Sequence, residues 1–237
     1  MAEETDAKKI APPRAAVYIK KFLAKPTFKG VVMVDISIAY PQVEVAGSPL
    51  VTQRINAYYR EEARRFYDYA SHNLFEQAKK EYLDSFKQNF PFRTFAVTQT
   101  VETPYNHAML LSTYFDQYAF TGGAHGNTVR TSNTWELSDG SLMTLSDFFT
   151  DSSYKSVFFE EITSEIKQKI DEGDSAYFDG YVKNVFRYFD ESHYYLTEKG
   201  FAIFYPLYTI AAYVQGIPVF VVPYELFGDN LKKRLFV

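Results

Sequence analysis

The fold class predicted is α+β: an antiparallel sheet with a long N-terminal helix and further helices packed against it. Three observations predict it. Val32, Val34, Ile36, Ile38 and Tyr40 alternate with Met33, Asp35, Ser37 and Ala39, the period of a strand with one buried face. Apolar residues then recur at helical spacing from Pro49 towards Asn89. Beyond that, strands come in runs separated by helices, without the strict alternation of a doubly wound fold.

The elements follow in order. Residues 1–27 read as a flexible tail, since their basic stretch from Lys8 to Lys29 is interrupted by Pro12, Pro13 and Pro26. After the first strand, Gly47-Ser48-Pro49 makes a turn in which Ser48 is placed to cap a helix opening on Pro49. Val51, Ile55, Tyr58, Tyr59, Phe66, Tyr69, Ala70 and Leu74 form its apolar stripe. Unbroken to Asn89 it would reach roughly 60 Å at 1.5 Å per residue, so a break is expected near Ser71-His72-Asn73.

Pro91 ends the helical region. Residues 92–102 and 108–120 predict a hairpin turning at Pro104-Tyr105-Asn106, and residues 128–137 predict a further strand running into the tight turn Ser138-Asp139-Gly140-Ser141. A helical turn at 145–149, helices over 154–170 and 177–190, and strands at 194–196, 201–204 and 218–222 complete the pattern. Residues 28–126 and 127–232 are read as two halves of one compact unit.

The chain has 237 residues, no cysteine and a formal net charge of -4. No disulfide, thiolate catalyst or thiolate metal site is available, and a nucleic-acid partner is not expected without a clustered cationic footprint. Aromatic residues make up 18%, with 20 Tyr and 22 Phe, enough to fill a ring-packed interface and still furnish an aromatic binding face. The longest apolar runs, such as 217–222, are too short for a membrane helix, and no charged-then-apolar signal opens the chain. The polar opening 1–9 is read as what remains after removal of an anchor.

His72, His107, His125 and His193 lack the short spacing of a metal pair, so no metal or cofactor is expected. Neither a nucleophile elbow nor a phosphate-binding glycine loop occurs, and no catalytic constellation is found. Asp116, Glu136, Asp139 and Asp147 are the acids available to a carboxylate mechanism if the fold brings two together. The segment Gly122-Gly123-Ala124-His125-Gly126 is the local constellation that asks for a role. Its glycines permit positive φ and close backbone approach, and His125 is expected to be held within the turn.

Residues 118–128 (YAFTGGAHGNT), 135–140 (WELSDG), 145–149 (LSDFF), 204–213 (FYPLYTIAAY), 216–218 (GIP) and 223–226 (PYEL) together resemble the ectodomain of RsiV-type anti-sigma factors and the N-terminal module of PdaC-type peptidoglycan deacetylases, over roughly residues 28–230. The resemblance implies an extracytoplasmic sensor or accessory module of a bacterial cell envelope, on the outer face of the cytoplasmic membrane or secreted. It implies lysozyme or peptidoglycan as partners, with the membrane reached only through an anchor outside this chain. The expected ligand-binding residues are Gly122, Gly123, His125 and Asn127 in the first loop and Tyr205, Tyr208 and Tyr213 in the second. Where the family carries Ala-Pro-Tyr this chain has Ala211-Ala212-Tyr213, so the local turn is expected to differ.

Overall fold

A computed structural model describes residues 15–87, 89–173 and 176–236. The first described element is β1 (Ala15–Ala24), which pairs antiparallel with β4 (Val34–Val45), Ala15 opposite Val45 and Ala24 opposite Ile36. This corrects the expected tail from residue 15 onward. Residues 1–14 lie outside the described residues. The short β2 (Thr27–Phe28) and β3 (Val31–Val32) form a small hairpin between the two long strands.

Helix α1 (Pro49–Asp68) starts on Pro49 as expected, but Ser48 makes no side-chain cap. The hydrogen bonding at this end lies elsewhere. Thr52 Oγ1 accepts from Val45 N at 2.9 Å, and the Asn56 amide bonds Val43 N and O at 2.7 and 2.9 Å. These side chains stand in for a neighbouring strand, because β4 runs alongside its inner partner only from Val34 to Ile38.

The expected break takes a milder form. Residues Tyr69–Leu74 are a π-helical turn, and the helix continues as α2 (Phe75–Lys87). Widening the turn re-phases the apolar stripe without ending the helix, and His72 Nδ1 bonds the Asp68 carbonyl at 2.9 Å. Ile55, Tyr59, Ala63, Ala70, Leu74 and Ala78 are buried as a result.

This long helix is a crossover, so β5 (Phe95–His107) lies parallel to β4, Val34 opposite Phe95. The sheet is otherwise antiparallel through β6 (Leu110–Phe120), β7 (Asn127–Glu136) and β8 (Ser141–Met143), in the order β1-β4-β5-β6-β7-β8. The β5–β6 hairpin turns at Ala108, with φ 53°, rather than at 104–106. Pro104 instead occupies a register shift between Glu102 and Tyr105, where its missing N–H costs no ladder bond.

A second layer covers the opposite sheet face. It comprises α3 (Tyr154–Asp171), α4 (Tyr181–Tyr188) and a sheet ordered β11-β10-β9, with β9 at Tyr194–Leu196, β10 at Gly200–Phe204 and β11 at Val219–Pro223. The helix expected over 177–190 is shorter, because Tyr177 bridges Ala211 in extended conformation.

Neighbouring residues on β6 show the two faces. Thr113 Oγ1 bonds Tyr59 OH of α1 at 2.8 Å, whereas Ser112 Oγ accepts from Leu196 N of β9 at 3.0 Å. Alternation along β6 and β7 therefore sends Asp116 and Arg130 to the β9 side, and Phe115, Gln117, Thr131 and Asn133 to the α1 side.

Candidate functional site

On the β9 side, where β6 and β7 reach beyond the smaller sheet, the connection from β10 to β11 folds back over the strands. Gly126 marks the closest approach. A Cβ there would lie 2.3 Å from the Tyr118 ring, so only glycine lets the loop before β7 cross that ring. The Gly126 carbonyl accepts from His125 Nδ1 at 3.0 Å and from Tyr213 OH at 3.1 Å, tying loop and connection to one oxygen.

The tie builds a stack of rings. His125 and Tyr213 lie 4.3 Å apart at 27°, and Tyr213 and Tyr208 lie 5.6 Å apart at 28°. Tyr213 is half-buried between two exposed outer rings. Tyr208 has φ 64°, an unusual conformation for a non-glycine residue that turns the chain here.

A groove of about 550 Å³ opens beside the stack, lined by Asp116, Arg130, Leu207, Tyr213, Val214 and Ile217. At its floor Arg130 donates to both Asp116 oxygens, Nε at 2.7 Å and Nη2 at 2.6 Å. Burial works against the Arg130 charge, but its bonds to Asp116 more than offset this and hold the guanidinium above its ordinary range. Its Cζ also lies 4.2 Å from the Tyr114 ring centroid, and Tyr114 packs on Tyr195 with ring centroids 4.7 Å apart.

The expected site residues divide. His125, Tyr208 and Tyr213 come together. Gly122, at φ +84°, packs beside Glu81, and Gly123 O accepts from Arg93 Nη1 at 3.2 Å, so these two anchor the loop to α2 and the start of β5. Asn127 is exposed and opens β7 opposite Ala119. Tyr205 is a correction. It is fully buried, and its hydroxyl donates to Val185 O at 3.2 Å, because the chain stays in the core through Tyr205 and turns outward only at Pro206.

Arg130 was absent from the sequence reading of the site. The available signal is a lone basic residue in a strand run whose one other charge, Glu136, lies at its far end. The four acids considered for carboxylate chemistry have separate partners: Asp116 with Arg130, Glu136 with Ser138 Oγ, Asp139 with Ser141 N and Asp147 with Thr144. Among the described residues, no group of three or more His, Asp or Glu side chains is placed to hold a metal ion.

Two family models match the chain. Residues 31–128 match the family described as Deacetylase PdaC, and residues 146–225 match the Protein of unknown function (DUF3298) family. The two matched segments follow one another along the chain, with residues 129–145 between them. No curated protein matches it. Among solved structures, a DUF3298 family member from Bacteroides fragilis superposes with a TM-score of 0.71 at 17% identity, covering 92% of this chain and 95% of the other. A DUF3298 family protein from Pseudomonas aeruginosa gives 0.60 at 18% identity, covering 95% and 97%. Both likenesses concern the fold.

Asp116 and His125 fall within the PdaC match, Tyr208 and Tyr213 within the DUF3298 match, and Arg130 between the two. The groove is therefore composite: neither matched segment supplies it alone.

Proposed function

We propose that this chain is an extracytoplasmic capture module of a bacterial cell envelope that binds a glycan of the peptidoglycan type in the groove beside Tyr213. The observation that carries this proposal is the Tyr208–Tyr213–His125 stack beside a paired arginine and aspartate. Sugar rings present apolar C–H faces to aromatic rings and hydroxyls to planar charged groups, and the groove offers both within 550 Å³. The mode is capture without turnover. Incubation with purified peptidoglycan is expected to release no fragments on chromatography.

Calorimetric titration with a muramic-acid-containing tetrasaccharide tests the binding. Heat is expected from the native chain, and Tyr213→Ala is expected to weaken binding at least about five-fold, the equivalent of about 1 kcal/mol of lost stacking. Absence of heat at millimolar sugar, or equal binding by the variant, would discard the proposal.

A second mode has its own support. Val214 is 85% and Tyr208 53% exposed on the same connection, and a protein partner would bury both. Lysozyme is the protein that the resemblance names. Val214→Asp is expected to abolish lysozyme co-elution. Failure of both ligands would leave the accessory role, in which the chain positions a neighbouring domain.

A further inference from the structure

Away from the groove's ring stack, β7 presents an open edge. Leu137 N donates to Met109 O at 2.7 Å, and the register from Leu110–Glu136 to Ala119–Asn127 is unbroken, so odd-numbered β7 residues turn their main-chain groups towards β6. Even-numbered residues turn them the other way, as Glu136 O does in accepting from Gly140 N at 2.9 Å. On that side β8 covers only Thr134, Trp135 and Glu136. The N–H and C=O groups of Thr128, Arg130 and Ser132 therefore face outward with no strand partner among the described residues. Proteins usually blunt such an edge with proline, lysine or a covering loop.

A cavity of about 320 Å³ adjoins it, lined in part by Tyr58, Glu62, Gln99, Gln117 and Asn133 on the α1 side, with Ser192 and His193 beside the edge. The donors of its amides point inward. Gln99 Nε2 donates to Ala39 O, Gln117 Nε2 to Gln99 Oε1, and Asn133 Nδ2 to Tyr58 OH, at 2.6, 2.7 and 3.2 Å. Gln117 Oε1 and Asn133 Oδ1 keep no partner among the described residues. Glu62 engages Arg65 through one oxygen at 2.8 Å. Arg130, at the cavity margin, is already neutralised by Asp116. What remains to receive a guest is a set of acceptors beside a carboxylate, the chemistry that takes a cationic side chain.

We propose that β7 accepts an extended peptide from a partner protein as an added strand along Thr128–Ser132, with a lysine or arginine of that peptide seated in the Glu62–Gln117–Asn133 cavity. Main-chain pairing supplies affinity and the cavity supplies side-chain choice. The peptide is distinct from the glycan, and its site needs none of the stacked rings.

The test uses the full chain and the acetylated, amidated peptide Thr-Val-Thr-Lys-Thr-Val-Thr. Saturating peptide is expected to slow amide hydrogen exchange at Arg130 and Ser132. Two control peptides, one with glutamate for lysine and one N-methylated through its central residues, are expected to bind at least ten-fold more weakly. Glu62→Gln, a change at a half-buried helix position that keeps the side chain's shape, should narrow the preference for lysine over glutamate several-fold. Tyr213→Ala should bind the lysine peptide like the native chain. The proposal is overturned if exchange at Arg130 and Ser132 is unchanged at millimolar peptide, if the N-methylated peptide binds equally, if the lysine preference survives Glu62→Gln, or if Tyr213→Ala abolishes the interaction.

Discussion

Strands β6 and β7 carry aromatic contacts on both faces, and the two faces use them in opposite ways. On the α1 side Tyr59, Phe115 and Trp135 are buried, with the Tyr59 ring 5.6 Å from Phe115 and 5.9 Å from Trp135. The Tyr59 hydroxyl accepts from Trp135 Nε1 and pairs with Thr113 Oγ1, both at 2.8 Å. Burial holds that hydroxyl protonated well above the ordinary tyrosine range, although its bonds to Thr113 and Trp135 pull the other way. On the β9 side, beyond the smaller sheet, Tyr208, Tyr213 and His125 stack on one another and keep their outer rings in solvent. The difference lies in what covers each face. A continuous helix seals the first, while a single connection partly roofs the second, so the same residue types pack in one place and remain available in the other.

Removing a ring from the sealed face should cost most. Trp135→Ala is expected to destabilise the chain by about 3–5 kcal/mol, read as a lowered urea midpoint with unchanged slope. Tyr59→Phe keeps the ring but strands Trp135 Nε1 without its acceptor, and about 1–3 kcal/mol is expected. If Tyr59→Phe were neutral, the buried hydroxyl would not be what separates the two faces.

Gly126→Ala tests the hinge of the open face. The new methyl must displace the Tyr118 ring, at an expected cost of about 1–3 kcal/mol. Because the Gly126 carbonyl also holds His125 and Tyr213, sugar binding should fall with it. A variant that unfolds earlier yet binds normally would show that the stack assembles without that tie.

Parts of this contrast were legible in the sequence and parts were not. The strand at Val34–Val45 and the stripe of α1 announce themselves because burial on one side imposes a period. The strand Ala15–Ala24 does not. It is an edge strand carrying Lys20 and Lys21, and charges that protect an edge also make it resemble a tail. The glycine loop pointed to His125, yet Tyr205 and Tyr208 share one short segment, and only the place where the chain leaves the core assigns the first to packing and the second to the surface. Arg130 and Asp116 meet through cross-strand register, which no local pattern encodes.

The smallest expected effect sits at the open edge of β7. The His193 ring stacks on Phe204 at 4.9 Å, and its Nδ1 is buried without a partner among the described residues. Burial lowers its pKa below the ordinary 6.5, with the Asp190 carboxylate working the other way. The unfolded chain therefore takes up the proton first as pH falls, and stability present above about pH 6.5 declines below it. Asp190 is itself held below its ordinary 3.8, its bonds to Ser192 outweighing a burial effect of opposite sign, so its contribution is lost only in a more acidic window. His193→Phe preserves a ring against Phe204 and removes the titration. Thermal melts of both chains at about pH 7.5 and 5.5 should show a drop for the native chain that is smaller in the variant. Equal drops would place the pH sensitivity outside this ring.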